Sequence, residues 1–213
     1  MNLYLIRHGE SMGNKLGKIQ GCSEFPLSEA GTLQIEKLGL YFQNVQLDFI
    51  YSSDLSRAYD SACAIAKRKN MTVHKWEKVR EVNLGPFQGK TREEIFSSYP
   101  EVKEKSILTS GVKGTESTEQ LTARCKSIVE QLMLAHRRHH VAIVSHGGLI
   151  SIFLMYLMFG ERWEELHRPF QIGNTSITHI EWPSSSNKPL IHYVNRNNHL
   201  DMTTDEGKKC GLL

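Results

Sequence analysis

Cysteine is scarce: Cys22, Cys63, Cys125 and Cys210 are the only four in 213 residues, and no two form a CxxC pair. That scatter argues against a disulfide framework and fits a reduced intracellular compartment. Uninterrupted apolar runs of membrane length are lacking too. The apolar stretch at residues 3–6 is short, lacks a basic flank and meets Arg7 at once. It reads as a buried strand, not a secretion signal. Residues 141–159 are apolar enough to suggest a membrane span, but Ser145-His146-Gly147-Gly148 interrupts them. A buried strand followed by a buried helix is the better account. Charge of one sign is not in marked excess either, because 26 Lys and Arg face 23 Asp and Glu. No basic stripe interleaved with aromatics occurs, so neither nucleic acid nor membrane is expected as a partner. The final Cys210-Gly211-Leu212-Leu213 fits a prenylation box only loosely and reads as a solvated tail. A cytoplasmic location is expected.

The length suits one domain spanning residues 1–213, with a core that needs no metal or disulfide. Strand-like runs fall at 3–6, 49–52, 141–145, 177–182 and 190–194. Helical patterns separate most of them. Ser28 can cap a helix reaching about Phe42, and Ala58, Ala62, Ile65 and Ala66 recur at helical spacing. Thr91 with Glu94 and Ser117 with Gln120 form capping boxes. The second opens a helix whose inner face is Leu121, Cys125, Ile128, Val129 and Leu132, and Met155 and Met158 read as core. The alternation predicts an α/β three-layer sandwich with a mostly parallel central sheet. Residues from about 85 to 114 carry no clear strand and are expected to form a small helical cap.

Three of the strands end in residues that carry chemistry. The first runs into Arg7-His8-Gly9-Glu10-Ser11, and ligands in open α/β sheets bind just beyond such carboxyl ends. The second ends near Arg57, in the first turn of a helix, where the dipole disfavours a cation and a bound anion would neutralise it. The third ends in Ser145-His146-Gly147-Gly148 at a helix N-terminus, whose free N–H groups suit phosphate. Taken singly, a strand-end histidine or a surface arginine is ordinary. Their convergence on one sheet edge is not.

These motifs resemble those of the histidine phosphatase superfamily, the phosphoglycerate mutase-like proteins. Arg7-His8-Gly9-Glu10-Ser11 matches the R-H-G-[ED]-[ST] signature, and Ser52-Ser53-Asp54-Leu55-Ser56-Arg57-Ala58 is similar to the second arginine motif. Arg80-Glu81-Val82-Asn83-Leu84-Gly85 resembles the acid/base segment, and Ser145-His146-Gly147-Gly148 the second histidine motif. The resemblance implies His8 as nucleophile and Glu81 as general acid and then base. It implies Arg7, Arg57 and His146 as phosphoryl-binding groups, joined by Asn14. Gln20 and Gly21 stand near where the family often contacts substrate, and Gly147 belongs to the same substrate-binding set. No cofactor or metal is implied.

The expected reaction is hydrolysis of a small phosphomonoester by a histidine acid-phosphatase type of chemistry. The expected partner is a phosphorylated metabolite; a homodimer is left open. Two alternatives stand beside it, a cofactor-dependent phosphoglycerate mutase and a phosphate-recognising module without turnover. Against the mutase, Val82-Asn83-Leu84-Gly85 replaces the Arg-His-Tyr-Gly that follows the glutamate there, and His146 precedes Gly147-Gly148 instead of Gly-Asn. Those departures predict a cleft poorer in groups for a second anion. Phosphoserine, phosphoglycerate, sugar phosphates and ribazole phosphate all remain candidates.

Overall fold

The computed structural model describes residues 1–103, 106–166, 169–186 and 188–201. The expectations for Cys210 and the C-terminal tail lie outside the described residues.

The chain opens with β1 (Asn2–Arg7), whose residues Leu3, Leu5 and Ile6 are buried. A one-turn helix α1 (Met12–Lys15) follows, closed by a capping box between Ser11 and Asn14. Ser28 caps α2 (Glu29–Gln43) by accepting from the Gly31 amide. Next come β2 (Phe49–Ser52), α3 (Ser56–Lys69) and β3 (Val73–Lys75). Residues 85–114 hold α4 (Arg92–Ser98), opened by the Thr91–Glu94 capping box, and short 3-10 turns. The Ser117–Gln120 box opens α5 (Thr118–His136). Then β4 (His140–Ser145) leads into α6 (Gly147–Phe159), and β5 (Ile177–Glu181) and β6 (Leu190–Arg196) complete the set.

The six strands form one sheet in the order β3-β2-β4-β1-β5-β6. Pairings from β3 through β1 are parallel, and β5 runs antiparallel to both β1 and β6. Two apolar clusters, one on each side of the sheet, complete three layers. One gathers Leu3, Leu5, Ile143, Leu149, Phe153 and residues of α5; the other gathers Ile6, Leu38, Phe42, Ile50, Ile65 and Val144. On α5 the buried face is Leu121, Cys125, Ile128 and Leu132, whereas Val129 is only partly buried. Met155 is core, but Met158 is 53% exposed and corrects the sequence reading, because the last turn of α6 runs past the sheet. Among the described residues no helix is long and apolar enough to cross a membrane.

The parallel strands β2, β4 and β1 end on one edge of the sheet. They carry Ser53, Ser145-His146 and Arg7-His8 to that edge side by side, with Arg7 level with Ser145 and Ser52 level with Val144.

Candidate active site

His8 is the first residue beyond β1 and is only 2% exposed. Its backbone N–H donates to the Ser145 carbonyl at 3.0 Å. Its ring Nδ1 lies 2.6 Å from the Gly9 carbonyl oxygen. A carbonyl only accepts, so Nδ1 carries the proton and Nε2 keeps its lone pair. Burial first, and then the charges of Arg7 and Arg57, hold the His8 imidazole well below its usual range, which keeps the ring neutral.

Arg7 donates from Nη1 to the Ile172 carbonyl at 2.6 Å, and its guanidinium lies against Gly147, where an added Cβ would be 3.3 Å from Nε. Arg57 is fully buried in the first turn of α3. Its two terminal nitrogens donate to the carbonyls of Ser23 and Gly21, both at 2.8 Å. The Nε atoms of both arginines are buried without a partner among the described residues. His146, fully buried, lies behind His8 with ring centroids 5.1 Å apart; Nε2 meets the Ser53 hydroxyl at 2.9 Å and Nδ1 has no partner among the described residues. Burial, His8 and the two arginines hold its ring well below the ordinary range as well. Buried donors cost about 1–3 kcal/mol when left unsatisfied, so this constellation is complementary to an anion with several acceptor oxygens.

Glu81 follows a short 3-10 turn and is anchored from both sides. Arg80 forms a two-pronged ion pair with Asp54 ahead of α3, and Arg124 donates to the Arg80 carbonyl at 3.1 Å. The Glu81 carboxylate accepts from the backbone N–H groups of Gly148 (3.1 Å) and Leu149 (2.9 Å). This corrects one sequence expectation. The amino end of α6 holds a carboxylate of the chain itself, so those two N–H groups are not free for phosphate.

The loop after α1 closes the front. Asn14, Gln20 and Gly21 line a cleft of about 500 Å³ together with Arg7, His8, Arg57, Glu81, Gly147 and Gly148. His146 contributes from beneath without lining it. Gln20 accepts from the Ser11 hydroxyl at 2.8 Å. Gly21 has φ +51°, and a Cβ there would meet Gln88 Oε1 at 2.3 Å, so glycine lets the loop bend back onto Arg57. The remaining wall holds Lys18, Arg92, Leu84, Ile107, Leu108 and Phe170. Sequence reasoning assigned no role to Lys18, Gln88, Arg92 and Asn174, and none to Ser53, which lies inside the second arginine motif. The histidines away from the site have structural partners: His179 meets Asn2, His192 meets Glu181 and His199 meets Thr175.

A neutral imidazole between two guanidiniums, with a carboxylate across the cleft, is the build of a phosphoryl-transfer enzyme. The chain belongs to the histidine phosphatase superfamily (branch 1), whose family model matches residues 3–195. It is 35% identical over 151 residues to phosphoserine phosphatase 1 of Hydrogenobacter thermophilus, covering 68% of this chain and 71% of that protein. It is 27% identical over 211 residues to a protein named probable phosphoglycerate mutase GpmB of Yersinia pestis, covering 95% and 96%. Among solved structures, Bacillus stearothermophilus YhfR superposes with a TM-score of 0.84 at 27% identity, covering 93% of this chain and 98% of that one. Entamoeba histolytica phosphoserine phosphatase, solved with 3-phosphoglyceric acid, gives 0.77 at 30% identity over 93% and 98%. The chain is thus a phosphatase of small phosphate esters that works by the histidine phosphatase mechanism.

Proposed function

We propose that the chain hydrolyses small phosphomonoesters carrying a second negative group, without a metal ion, through a phosphohistidine on His8. The observation that carries the mechanism is the His8 Nδ1 hydrogen bond to Gly9, which leaves Nε2 as an unprotonated nucleophile between Arg7 and Arg57. Nε2 attacks phosphorus while the ester P–O bond breaks, and Glu81 gives its proton to the departing alkoxide. Water then attacks the phosphohistidine, Glu81 takes a proton from that water, and the P–N bond breaks to return neutral His8. Arg7, Arg57, His146 and Asn14 bind the phosphoryl oxygens, with Gln20, Gly21 and Gly147 shaping the wall around them. The two guanidiniums supply the positive charge that a metal provides elsewhere. Among the described residues no cluster of His, Cys, Asp or Glu is placed to hold a metal ion.

Lys18 and Arg92 support the second negative group. Lys18 pairs with Thr91 in an isolated antiparallel bridge, while the Ile19 N–H donates to the Lys90 carbonyl at 2.8 Å. This contact between two loops puts both cations on the rim of the cleft they line, and neither has an ion-pair partner among the described residues. Residues 85–114, which hold Arg92, Ile107 and Leu108, act in this reading as the cap that selects the leaving group.

Matched substrates test the proposal: phosphoserine against phosphoethanolamine, and 3-phosphoglycerate against glycerol 3-phosphate. Each pair differs chiefly in a carboxylate. A kcat/KM preference of about tenfold for the carboxylated member corresponds to roughly 1.4 kcal/mol. Equal kcat/KM within both pairs rejects the second anion. Rejection of every monoester rejects the phosphatase reading itself.

A further inference from the structure

The turn at residues 173–176 lies outside every recognised motif, yet it touches three residues of the phosphate cradle. Just ahead of it, the Ile172 carbonyl holds Arg7 Nη1. The Thr175 amide donates to the His8 carbonyl at 3.2 Å, and Asn174 Nδ2 donates to the same oxygen at 3.1 Å. The second Asn174 hydrogen goes to Asn14 Oδ1 at 3.2 Å.

The direction of these amides is forced at both ends. The His8 carbonyl can only accept, so Asn174 must present its nitrogen. The Ser11 backbone amide can only donate, at 3.2 Å, so Asn14 must present its oxygen. The nitrogen of Asn174 and the oxygen of Asn14 then face each other as donor and acceptor. The polar group that Asn14 has left for the cleft is its N–H2.

The turn is built at a cost. Thr175 is fully buried with φ +53°, a strained left-handed conformation that β-branched residues rarely adopt. Its hydroxyl donates to the Asn174 carbonyl at 2.8 Å and accepts from His199 Nε2 at 3.1 Å. Gly173 donates to Asn195 Oδ1 at 2.6 Å, and Lys37 of α2 holds the Leu200 carbonyl at 2.6 Å. Strain persists where the surroundings over-determine it, and here β6 and the turn at 198–201, itself tied to α2, converge on this turn.

We propose that Asn174 is a positioning residue of the phosphate cradle: it pins the His8 carbonyl and turns the amide of Asn14 so that N–H, and not oxygen, meets the phosphoryl group. The inference rests on the reading above only in placing a phosphoryl group beside Asn14. Titrating the whole protein with inorganic phosphate therefore tests it without any turnover. Asn174→Ala and Asn14→Ala are each expected to weaken phosphate about tenfold, and the double variant no more than about twofold further, because coupled residues are not additive. Asn174→Asp keeps the size but sets oxygen against both the His8 carbonyl and Asn14 Oδ1, the latter still held by the Ser11 amide, and adds a negative charge beside the cradle. It is expected to bind phosphate more weakly than Asn174→Ala. Asn174→Leu fills the same space without a donor; it is expected to lose phosphate affinity as Asn174→Ala does, whereas a space-filling role predicts wild-type affinity. Circular dichroism monitors folding; should Asn174→Ala not fold, Asn174→Ser, which keeps one donor, takes its place in the cycle. Losses that multiply in the double variant, or an Asn174→Asp protein that binds like wild type, overturn the proposal.

Discussion

Glu81 and Leu149 are joined by a 2.9 Å bond from the Leu149 backbone N–H to the Glu81 carboxylate, and the neighbouring Gly148 N–H reaches the other oxygen at 3.1 Å. The group proposed as acid and base is thus aimed by the first turn of α6, immediately after His146. The same glycine explains the closeness: a Cβ on Gly148 would stand 2.6 Å from Glu81 Oε1. Gly148→Ala should therefore displace Glu81 and lower kcat while leaving phosphate affinity within about threefold, a gap that kinetics and titration together measure.

Glu81→Gln removes the proton donor and also sets an amide N–H2 against one of those two backbone donors. Turnover of alkyl phosphates should fall by about 10²–10⁴, the range for general acid–base groups. With p-nitrophenyl phosphate, whose leaving group hardly needs a proton, the fall at phosphoryl transfer should be much smaller. Equal losses on both esters would contradict the acid role.

His8→Ala should cost on the order of 10⁴–10⁶ in turnover, as expected when one member of a catalytic unit is removed. Quenched wild-type enzyme should hold acid-labile, base-stable label on His8 after brief exposure to labelled substrate. An alanine variant within tenfold of wild type is incompatible with the mechanism.

Much of this was readable in the chain because the chemistry sits in short local motifs at strand ends. Arg7-His8 and His146 are close in space because β1 and β4 are buried neighbours, and buried strands announce themselves as apolar runs. The strand β3 gave no such signal: Val73, His74 and Lys75 are only three residues, half-buried to exposed. Asn174 was invisible for another reason. Its partners His8 and Asn14 lie 166 and 160 residues away, and an asparagine in a Gly-Asn-Thr turn has a sufficient local explanation. The capture of the α6 amides by Glu81 likewise depends on a contact across 68 residues that spacing alone does not reveal.

The histidines set the response to acid. His8 and His146 are held well below the ordinary histidine range by burial, and His199 is lowered to about 4. A depressed pKa in the fold means that the unfolded chain binds protons first, so stability falls as pH drops below about 6.5. Above that pH these three groups contribute no slope. Melting temperatures from pH 7 down to 5 should fall steadily, and less steeply in His199→Asn. The proposed nucleophile His8 is likewise held below that range, so the acid limb of phosphoenzyme formation attributable to it should lie below 6.5. A limb at 6.5 or above would mean that His8 is solvated during the reaction.

Hydrolysis should outrun isomerisation. The sequence departures from the mutase pattern predicted a cleft poor in groups for a second anion, and Lys18 and Arg92 on its rim correct that expectation. Positive charge for a second anion therefore does not separate the two activities here. Water access does. A mutase must keep its phosphohistidine dry while the substrate turns over, whereas this cleft opens past Lys18, which is half-buried, and Arg92, which is exposed. Water that reaches His8 hydrolyses the phosphohistidine before a second acceptor oxygen can take the phosphoryl group. Enzyme mixed with 3-phosphoglycerate and a trace of 2,3-bisphosphoglycerate should release free phosphate faster than it forms 2-phosphoglycerate. Isomerisation well ahead of phosphate release would make the chain a mutase and show that residues 85–114 close over the site during turnover.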